Sequence, residues 1–580
     1  MKRQLLIALT CLLPLWMEAQ SWDDLNQRGY PQWFSDAKLG IFVHWGLYSV
    51  PAYASPEGYA EWFYRGLMVG DTARRGVMSH YADTSLPVLE QYRELTKYWK
   101  AERWNPDEWA ALFKDAGARY VVLVTKHHDG YCLWDSPRQP QWNSVTSGPR
   151  RNIVEELTSA VRKQGMRMGF YYSLPEWTNP LHIWMQDPDS LIGDYVDNYM
   201  VPQFKELVAR YRPSLVFADG DWQNTAGQFR SAELIDWYYR TVGDSAIVNN
   251  RWGGGSQHGF KTPEYSSAIF DTVTPWAECR GIGRSFGYNR NESPENYLSD
   301  SELIRHFCEL VSHGGGLTLN VGPMADGTIP ELQQERLRAL GHWLKVNGEA
   351  IYGSRPWRTA CNTERRTAEL PSVGIIDYDW VRNAPLEEMP YDHFSIHWSG
   401  TVVAPEDGEY TINVVADDQA TVVLNHRDSL FYNHSWADNA AATKQIVLRK
   451  GERMDVEVFY QEKDLEASIA LKWKRNNEDY RPIPALDGWK GTAEWQHVTR
   501  CFTTKDGHLY IVEFNRPGQT LSIPNMPLLK KGSGVTLLGT KGNLKWKQKK
   551  DGTLSIDLSS LDSKEFNALD HAWVFRIEKQ

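Results

Sequence analysis

The stretch Ser214-Leu-Val-Phe-Ala-Asp-Gly-Asp-Trp222 decides the fold that the sequence predicts. Its short apolar run, Leu215 to Phe217, is typical of a strand that is buried on both faces. The run ends at Asp219, and barrel enzymes built on parallel strands carry their catalytic groups at the C-terminal ends of those strands. An Asp-Gly pair also ends many strands for backbone reasons alone, so a plain turn stays open beside a catalytic carboxylate.

Apolar runs of the same kind recur along the chain, and helical patterns separate several of them. The runs cover Lys38–Gly46, Tyr120–Thr125, Met168–Tyr172, Ala246–Val248 and Gly316–Val321. Helices that alternate with single buried strands predict a parallel sheet. Because polar residues follow the strands, a (β/α) barrel is favoured over a doubly wound sheet. Fewer than eight clean runs are visible, so we expect the barrel to be irregular.

The C-terminal part of the chain changes to short alternating strands divided by Gly and Asp turns. Such a pattern is typical of antiparallel β-sandwiches. We therefore predict an α/β plus β protein, a barrel followed by two β-sandwich domains, which its length of 580 residues accommodates. The predicted units are a signal peptide at 1–20, the barrel at 21–358, a first sandwich module at 359–490 and a second, smaller sandwich at 491–580.

Composition narrows the class of partner. A formal net charge of −10, without a block of Lys and Arg, argues against nucleic acid. The 26 Trp and 28 Tyr provide aromatic faces that suit stacking on sugar rings, although aromatic residues also fill protein cores.

The first twenty residues resemble a secretory signal. Lys2 and Arg3 precede an apolar centre from Leu5 to Leu15, which is too short to span a bilayer as a permanent helix. We therefore expect a periplasmic or secreted protein without a membrane span. The mature chain would keep five scattered cysteines, and this odd number suggests neither a disulfide framework nor a zinc site.

A barrel would bring a polar constellation to one mouth. Its members are His44, His127, His128, Tyr171, Asp219, Trp222 and Arg251. Histidines and an arginine suit sugar hydroxyls because they offer hydrogen bonds in fixed directions. A retaining glycosidase further needs two carboxyl groups about 5–5.5 Å apart.

Each member of this constellation also has a plainer interpretation. The adjacent His127 and His128 suggest metal ligands, but neighbouring strand residues point to opposite faces and no matching ligand spacing supports a metal. We expect no metal in the site and no cofactor. Arg251 could be an ordinary ion-pair partner, and tryptophans such as Trp62 could belong to the core.

Several longer stretches carry a resemblance to a known family. They are Trp33–Gly46, Glu61–Tyr64, Thr125–Tyr131, Gly169–Trp177, Asn249–Gly253 and Asn347–Gly353. In these stretches the chain is similar to the α-L-fucosidases of glycoside hydrolase family 29, over residues 30 to about 358 and in the family's order. The resemblance implies a (β/α) barrel with a C-terminal β-sandwich, and retaining hydrolysis of terminal α-L-fucose from oligosaccharides or glycoconjugates.

The resemblance also implies roles for single residues. Asp219 takes the nucleophile position, and Glu61 resembles an auxiliary carboxylate in a Glu-Trp motif with Trp62. Phe286 stands where many relatives have Trp and is expected against the C5 methyl of fucose. The fucose-binding residues of the family are matched by His44, His127, His128, Tyr171, Trp222 and Arg251.

The acid/base position varies within this family, and two candidates remain. Glu264, in Thr262-Pro-Glu-Tyr265, is the first candidate. Glu278, in Pro275-Trp-Ala-Glu-Cys279, is the second, because a tryptophan neighbour would raise its pKa by desolvation. The stretch Gly169 to Trp177 resembles the broad-specificity branch, so we expect hydrolysis of simple aryl fucosides.

Residues 359 to 490 have a resemblance of their own. Phe394–Gly400, Pro405–Tyr410 and Phe459-Tyr460 look like the lectin-like module first seen in the anthrax protective antigen. In sugar-binding members an Asp-Asp pair, here Asp417-Asp418, helps to hold Ca²⁺, which prefers such oxygen ligands. The module is expected either to contact glycans or only to shape the rim of the active site.

Two other functions remain open at this point. One is a glycan-binding protein whose barrel has lost catalysis. The other is a retaining hydrolase acting on L-galactose, which differs from L-fucose by one hydroxyl at C6. A pocket rejects such an added hydroxyl only about 10²-fold.

Overall fold

The computed structural model describes residues 21–182, 192–266, 273–381, 383–386, 389–434, 440–463 and 466–578. The predicted signal peptide, residues 1–20, lies outside the described residues. Among the residues described, no helix combines the length and the apolar character needed to cross a membrane.

A curled parallel sheet of seven strands forms the centre of the N-terminal region, which confirms the predicted barrel-like fold. The strands are β1 Leu39–Val43, β2 Tyr120–Lys126, β3 Arg167–Ser173, β4 Leu215–Asp219, β5 Ile247–Val248, β6 Ala277–Gly281 and β7 Gly316–Val321. Their order is β5-β4-β3-β2-β1-β7-β6, and every pair is parallel. All residues of β1, β2, β4 and β7 are buried, as continuous apolar runs on a covered sheet require.

Residues 260–264 connect the two edges of this sheet. Phe260 is bridged in parallel to Asn249 after β5, and Glu264 is bridged in parallel to Cys279 on β6. The turn into this segment needs glycine at position 259, where φ is +116° and a Cβ would lie 2.0 Å from the carbonyl oxygen of Asn249. An irregular segment thus occupies the eighth position of the barrel, which agrees with the predicted shortage of clean strands.

Thirteen α-helices are present in the described part of the chain, most of them around the barrel. They are α1 Trp22–Gln27, α2 Gln32–Ala37, α3 Phe63–Val69, α4 Thr72–Met78, α5 Val88–Glu94, α6 Pro106–Asp115, α7 Ile153–Lys163, α8 Ile192–Tyr195, α9 Val201–Tyr211, α10 Ser231–Val242, α11 Asp300–Ser312, α12 Glu331–Asn347 and α13 Ser563–Asn567. A π-helix, Val196–Met200, joins α8 to α9. Asn105 caps α6 by accepting from Asp107 N and Glu108 N, and a proline follows it at the first helical position.

The C-terminal half consists mainly of antiparallel strands, as predicted. The strands of the module are β8 Arg355–Val373, β9 Asp377–Val381, β10 Phe394–Val403, β11 Gly408–Asp417, β12 Gln419–Leu424, β13 Asp428–Asn433, β14 Ala442–Leu448, β15 Arg453–Glu462, β16 Ala467–Arg475 and β17 Arg481–Pro482. The remaining strands are β18 Trp489–Lys505, β19 His508–Glu513, β20 Thr520–Ile523, β21 Val535–Leu537, β22 Lys545–Gln548, β23 Leu554–Asp557 and β24 Trp573–Ile577. Side chains alternate between core and surface, as on β11, where Tyr410, Ile412 and Val414 are buried.

Two long strands link the β regions to each other. β8 and β18 pair antiparallel from Val373↔Trp489 to Arg355↔Thr504. β18 pairs with β10 of the module over residues 490–495 and with β19 over residues 500–505. The predicted boundaries at 358/359 and 490/491 therefore fall inside continuous strands.

A disulfide joins these two long strands between Cys361 and Cys501. The two cysteines are direct partners in the antiparallel register, although 140 residues separate them in sequence. The sequence suggested no disulfide framework, and this pairing depends on a strand register that composition does not reveal. Cys132, Cys279 and Cys308 are free and buried.

Candidate active site

A cavity of about 100 Å³ opens where the parallel strands end. Ten of the twelve predicted site residues line it: His44, Glu61, Trp62, His127, Tyr171, Asp219, Trp222, Arg251, Glu264 and Phe286. The structure thus brings together side chains from almost the full length of the barrel sequence, from position 44 to position 286. His128 and Glu278 do not line the cavity.

Asp219 is the last residue of β4 and is nearly buried. The hydroxyl of Tyr171 donates a 2.8 Å hydrogen bond to Oδ2, and Nη1 of Arg251 lies 3.3 Å from Oδ1. Burial alone would raise the pKa of Asp219, but the hydrogen bond with His128 and the charge of Arg251 hold that pKa well below its usual range. Asp219 is therefore ionised at neutral pH.

The backbone after Asp219 also has to turn sharply. Gly220 has φ +89°, and a Cβ at this position would lie 2.2 Å from Cδ of Pro175. The Asp-Gly pair therefore serves both interpretations of the sequence, because the glycine makes the turn and the aspartate faces the cavity.

Glu264 lies at the end of the irregular segment 260–264 and faces Asp219 across Arg251. Nη1 of Arg251 donates a 3.0 Å hydrogen bond to Oε2 of Glu264 and a 3.3 Å hydrogen bond to Oδ1 of Asp219. The two carboxylate oxygens therefore cannot be further apart than the sum of these two distances. That limit accommodates the spacing of about 5–5.5 Å found in retaining glycosidases.

Arg251 is fixed by the same irregular segment. Its Nε donates to Oγ1 of Thr262 at 3.0 Å, and its Nη2 donates to the carbonyl oxygen of Thr262 at 2.9 Å. Asn250 accepts a 3.1 Å hydrogen bond from Thr262 Oγ1. The guanidinium is thus held in one orientation between the two carboxylates.

Glu278 lies on the opposite face of β6. Successive side chains of a strand point to opposite faces, and it is Cys279 that lines the cavity. The carboxylate of Glu278 is fully buried and bonded to Nε2 of His306 on α11. The structure therefore does not bring the second acid/base candidate to Asp219.

Two of the three predicted histidines, His44 and His127, line the cavity. Nδ1 of His44 lies 2.6 Å from Oδ1 of Asn320, whose amide nitrogen donates to the carbonyl oxygen of Phe286, so Nδ1 carries the hydrogen and Nε2 is left as an acceptor. Burial lowers the pKa of His44 to about 4 and that of His127 well below its usual value, so both rings are neutral. Nδ1 of His127 has no hydrogen-bond partner among the described residues.

His128 lies behind Asp219 and is fully buried. Its Nε2 is 3.5 Å from Oδ2 of Asp219, and its Nδ1 is 2.5 Å from Oγ of Ser173. Ser173 Oγ donates to the carbonyl oxygen of Pro175, so it accepts from Nδ1 of His128. The structure therefore gives this histidine a place beside the nucleophile candidate rather than in the lining of the cavity.

Aromatic rings form the walls of the cavity. Trp62 and Trp222 stack with their ring centroids 6.0 Å apart, and half of Trp222 is exposed at the mouth. On the other side Phe286 is buried and packs 4.9 Å from His44. The two tryptophans thus form a wall at the entrance of the cavity, and Phe286 forms an apolar wall inside it.

Glu61 is buried in the lining of the cavity. Its Oε2 accepts a 2.8 Å hydrogen bond from the backbone N–H of Gly287. Burial, together with the charge of Glu264, raises the pKa of Glu61 to about 7 despite that hydrogen bond. This carboxyl group is therefore divided between its two protonation states near neutral pH.

Four further residues line the cavity that the sequence did not single out: Phe42, Tyr59, Phe217 and Cys279. Phe42 and Phe217 lie two residues before His44 and Asp219 on their strands, so strand alternation could have indicated both. Tyr59 belongs to an irregular segment before the short 3₁₀ helix Ala60–Trp62, where no periodic pattern marks it.

Asp417 and Asp418 lie at the end of β11 in the module. The nearby Glu462 accepts a 2.7 Å hydrogen bond from Tyr460. Among the described residues, no group of three or more His, Cys, Asp and Glu side chains is arranged to hold a metal ion.

Comparisons with known proteins match three families along the chain. Residues 17–349 match the family described as Alpha-L-fucosidase, residues 372–487 match the PA14 domain, and residues 496–578 match the Alpha-L-fucosidase C-terminal domain. An alpha-L-fucosidase of Dictyostelium discoideum is 39% identical over 348 residues, which cover 58% of this chain and 75% of that relative. The tissue alpha-L-fucosidase of Bos taurus is 37% identical over 377 residues, covering 62% and 76%.

Solved structures give the same result. The alpha-fucosidase of Thermotoga maritima, in complex with a mechanism-based inhibitor, is 28% identical with a TM-score of 0.64, covering 96% of this chain and 99% of that chain. The fold and the site define a glycoside hydrolase whose barrel is followed by β-sandwich domains. The chain belongs to the alpha-L-fucosidase family, glycoside hydrolase family 29, with a protective-antigen-type module between the barrel and the C-terminal domain.

Proposed function

We propose that this protein is an α-L-fucosidase that hydrolyses terminal α-L-fucose from glycans with retention of configuration. The observation that carries the proposal is the sharing of one guanidinium nitrogen of Arg251 by Asp219 and Glu264 at the mouth of the barrel. The named relatives at 37% and 39% identity support the same activity.

In the first step Glu264 acts as the acid and Asp219 as the nucleophile. The proton of Glu264 passes to the glycosidic oxygen as the bond from that oxygen to C1 of fucose breaks. A carboxylate oxygen of Asp219 forms a bond to C1 from the opposite face, which gives a covalent fucosyl-enzyme and a free alcohol.

In the second step Glu264 acts as a base. It takes a proton from a water molecule, whose oxygen bonds to C1 while the bond to Asp219 breaks. Fucose leaves with its original configuration after two inversions, and both carboxyl groups return to their starting protonation states.

The electrostatics around Asp219 fit the role of the nucleophile. Hydrogen bonds and positive charge keep the pKa of Asp219 low, so its attacking oxygen is ionised. The same groups also stabilise the carboxylate as it leaves C1 in the second step. A preorganised arrangement of this kind stabilises charge without reorientation during the reaction.

The remaining lining residues fit a sugar that is polar on one side and apolar on the other. Nε2 of His44 and Nδ1 of His127 are available to sugar hydroxyls. Phe286 provides an apolar surface for the C5 methyl group, and Trp222 at the entrance suits the group to which fucose is attached. We extend the proposal to simple aryl fucosides as substrates, which the Gly169–Trp177 stretch supports.

The place of action and the role of the module belong to the same proposal. The signal-like residues 1–20 support export to the periplasm or the medium, where fucosylated glycans would be met. Glycan contact by the module is supported by its family resemblance.

Replacement of Asp219 by alanine tests the function. We expect hydrolysis of 4-nitrophenyl α-L-fucoside to fall by about 10³-fold or more, while fucose binding, measured by calorimetry, persists. Asp221→Asn is the matched control, because it removes a neighbouring carboxylate that does not line the cavity. An Asp219→Ala variant that hydrolyses at the wild-type rate would overturn the proposal. Wild-type protein that binds fucose without turnover would identify a silent glycan-binding protein.

A further inference from the structure

A second cavity among the described residues is larger than the active site. It measures about 520 Å³ and lies between the outer wall of the barrel, helix α11 and the base of the module. Strand β6 separates the two cavities, because Cys279 lines the active site and Arg280 lines the outer cavity. Barrel walls are usually covered by apolar helix faces, so a polar cavity at this position requires an explanation.

Arg280 provides the clearest sign that a ligand is accommodated. It is 1% exposed, its Nε donates to the carbonyl oxygen of Gly281 at 3.2 Å, and its Nη1 donates to the hydroxyl of Tyr391. Its Nη2 takes part in no hydrogen bond with the described residues. Nη1 also lies 4.0 Å from Oε1 of the buried Glu278, and the N–H groups of Nη2 remain available to an acceptor that enters the cavity.

The charges around the cavity indicate which class of ligand fits. The described lining contains three arginines, at positions 280, 284 and 305, and three glutamates, at positions 295, 302 and 309. An anion-binding site would show an excess of positive charge, and this lining does not. Balanced donors and acceptors instead suit a neutral molecule with many hydroxyl groups.

Aromatic and apolar surfaces complete the lining. Tyr391 and Trp495 reach the cavity from the module side, and Tyr297 reaches it from the barrel side. The ring of Tyr391 lies 5.4 Å from the guanidinium carbons of both Arg280 and Arg284, which fixes its position. Aromatic faces beside fixed polar groups are suited to sugar rings, which have apolar faces and polar edges.

We propose that this cavity is a second carbohydrate site, which binds the neutral, fucose-free part of a glycan. The choice of ligand class rests on the proposed fucosidase function. A glycan held at this site would raise the local concentration of its fucosylated ends near the mouth of the barrel. Arg280 Nη2 would donate hydrogen bonds to a sugar oxygen, with Tyr391 and Trp495 against the ring.

Calorimetric titration with lacto-N-tetraose, a neutral tetrasaccharide without fucose, tests the site on the full-length protein. We expect binding by the wild type and at least a tenfold loss of affinity in Arg280→Met. Gln496→Trp, at an exposed position on the rim, should obstruct part of the cavity and weaken binding without disturbing the core. The matched control is Arg240→Met on α10, whose arginine is exposed and paired with Asp236.

The outcomes separate this site from the catalytic one. Hydrolysis of 4-nitrophenyl α-L-fucoside should stay at the wild-type level in all three variants. Absence of lacto-N-tetraose binding by the wild type, or unchanged binding in Gln496→Trp, would overturn the second site even where Arg280→Met fails to fold. Tighter binding of a sialylated oligosaccharide would overturn the neutral ligand class. Binding without fucoside hydrolysis would leave this site standing and refute the fucosidase function.

Discussion

Tyr59 donates a 2.6 Å hydrogen bond from its hydroxyl to Oε1 of Glu264. The other oxygen of the same carboxyl group accepts from Arg251. Both oxygens are therefore held, and the carboxyl group has one orientation towards the bond that is to be cleaved. The tyrosine ring is itself supported by Phe286, with the ring centroids 5.5 Å apart.

Tyr59→Phe should reduce kcat/KM by up to about tenfold, because Glu264 acts as a protonated acid and a hydrogen bond to such an uncharged group contributes about 0.5–1.5 kcal/mol. The loss should be larger for substrates with poor leaving groups, which depend most on protonation by Glu264. Steady-state rates across a series of aryl α-L-fucosides measure this. An equal loss for every leaving group would mean that the tyrosine acts on binding rather than on the acid.

Glu264→Ala should lower the rate on poor leaving groups by about 10²–10⁴-fold. Added azide should restore turnover of an activated substrate and give α-L-fucosyl azide, because azide attacks the covalent intermediate without needing a base. Glu278→Ala is the comparison, and it should lose stability through its broken contact with His306 but keep kcat per folded molecule. The reverse result, with azide rescue in Glu278→Ala only, would exchange the two assignments.

Phe286→Ala should weaken the discrimination between L-fucose and L-galactose. An apolar wall rejects an added hydroxyl by about 10²-fold at most, and removal of this buried ring should reduce that preference by about tenfold. The ratio of kcat/KM for the two 4-nitrophenyl glycosides gives the answer. Phe459→Ala, at an exposed position in the module, serves as the control. An unchanged ratio would mean that the C5 substituent of the sugar does not contact Phe286.

The burial of His44 predicts how the unfolding free energy changes in acid. Burial lowers its pKa to about 4, whereas an unfolded histidine titrates near 6.5. Between these values only the unfolded chain binds the proton, so the unfolding free energy decreases as the pH falls from 6.5 to 4. His44→Asn should flatten this decrease by roughly 2–3 kcal/mol, as measured by urea denaturation at pH 7 and pH 4.5. An equal decrease in unfolding free energy for the wild type and for His44→Asn would contradict this prediction.

Most barrel strands could be predicted because they are buried on both faces and appear as apolar runs. β6 could not, since Ala277-Glu-Cys-Arg-Gly281 carries Glu278 and Arg280 on its outer face. That face borders the polar cavity beside the module instead of an apolar helix. The segment 260–264 was missed for another reason, because Pro263 and the preceding Gly259 do not fit any regular pattern.

The candidate site was predictable wherever residues fall in recognisable motifs at strand ends, as Asp219 and His127 do. Glu278 shows the limit of this reasoning. The residue is fully buried. Without the bounds of β6, however, the sequence could not tell which face of the strand it occupies. The partnership of Tyr59 with Glu264 spans 205 residues and depends on the closed barrel.

The pairing of Val373 with Trp489 places the two ends of the inserted module side by side. β8 and β18 thus form the two arms of one hairpin, and the module takes the position of its loop. With this arrangement a whole domain can be gained, lost or exchanged while β8 and β18 keep their positions. The module is therefore an insertion whose two ends leave from the paired strands β8 and β18, and these strands also connect the catalytic half to the C-terminal domain.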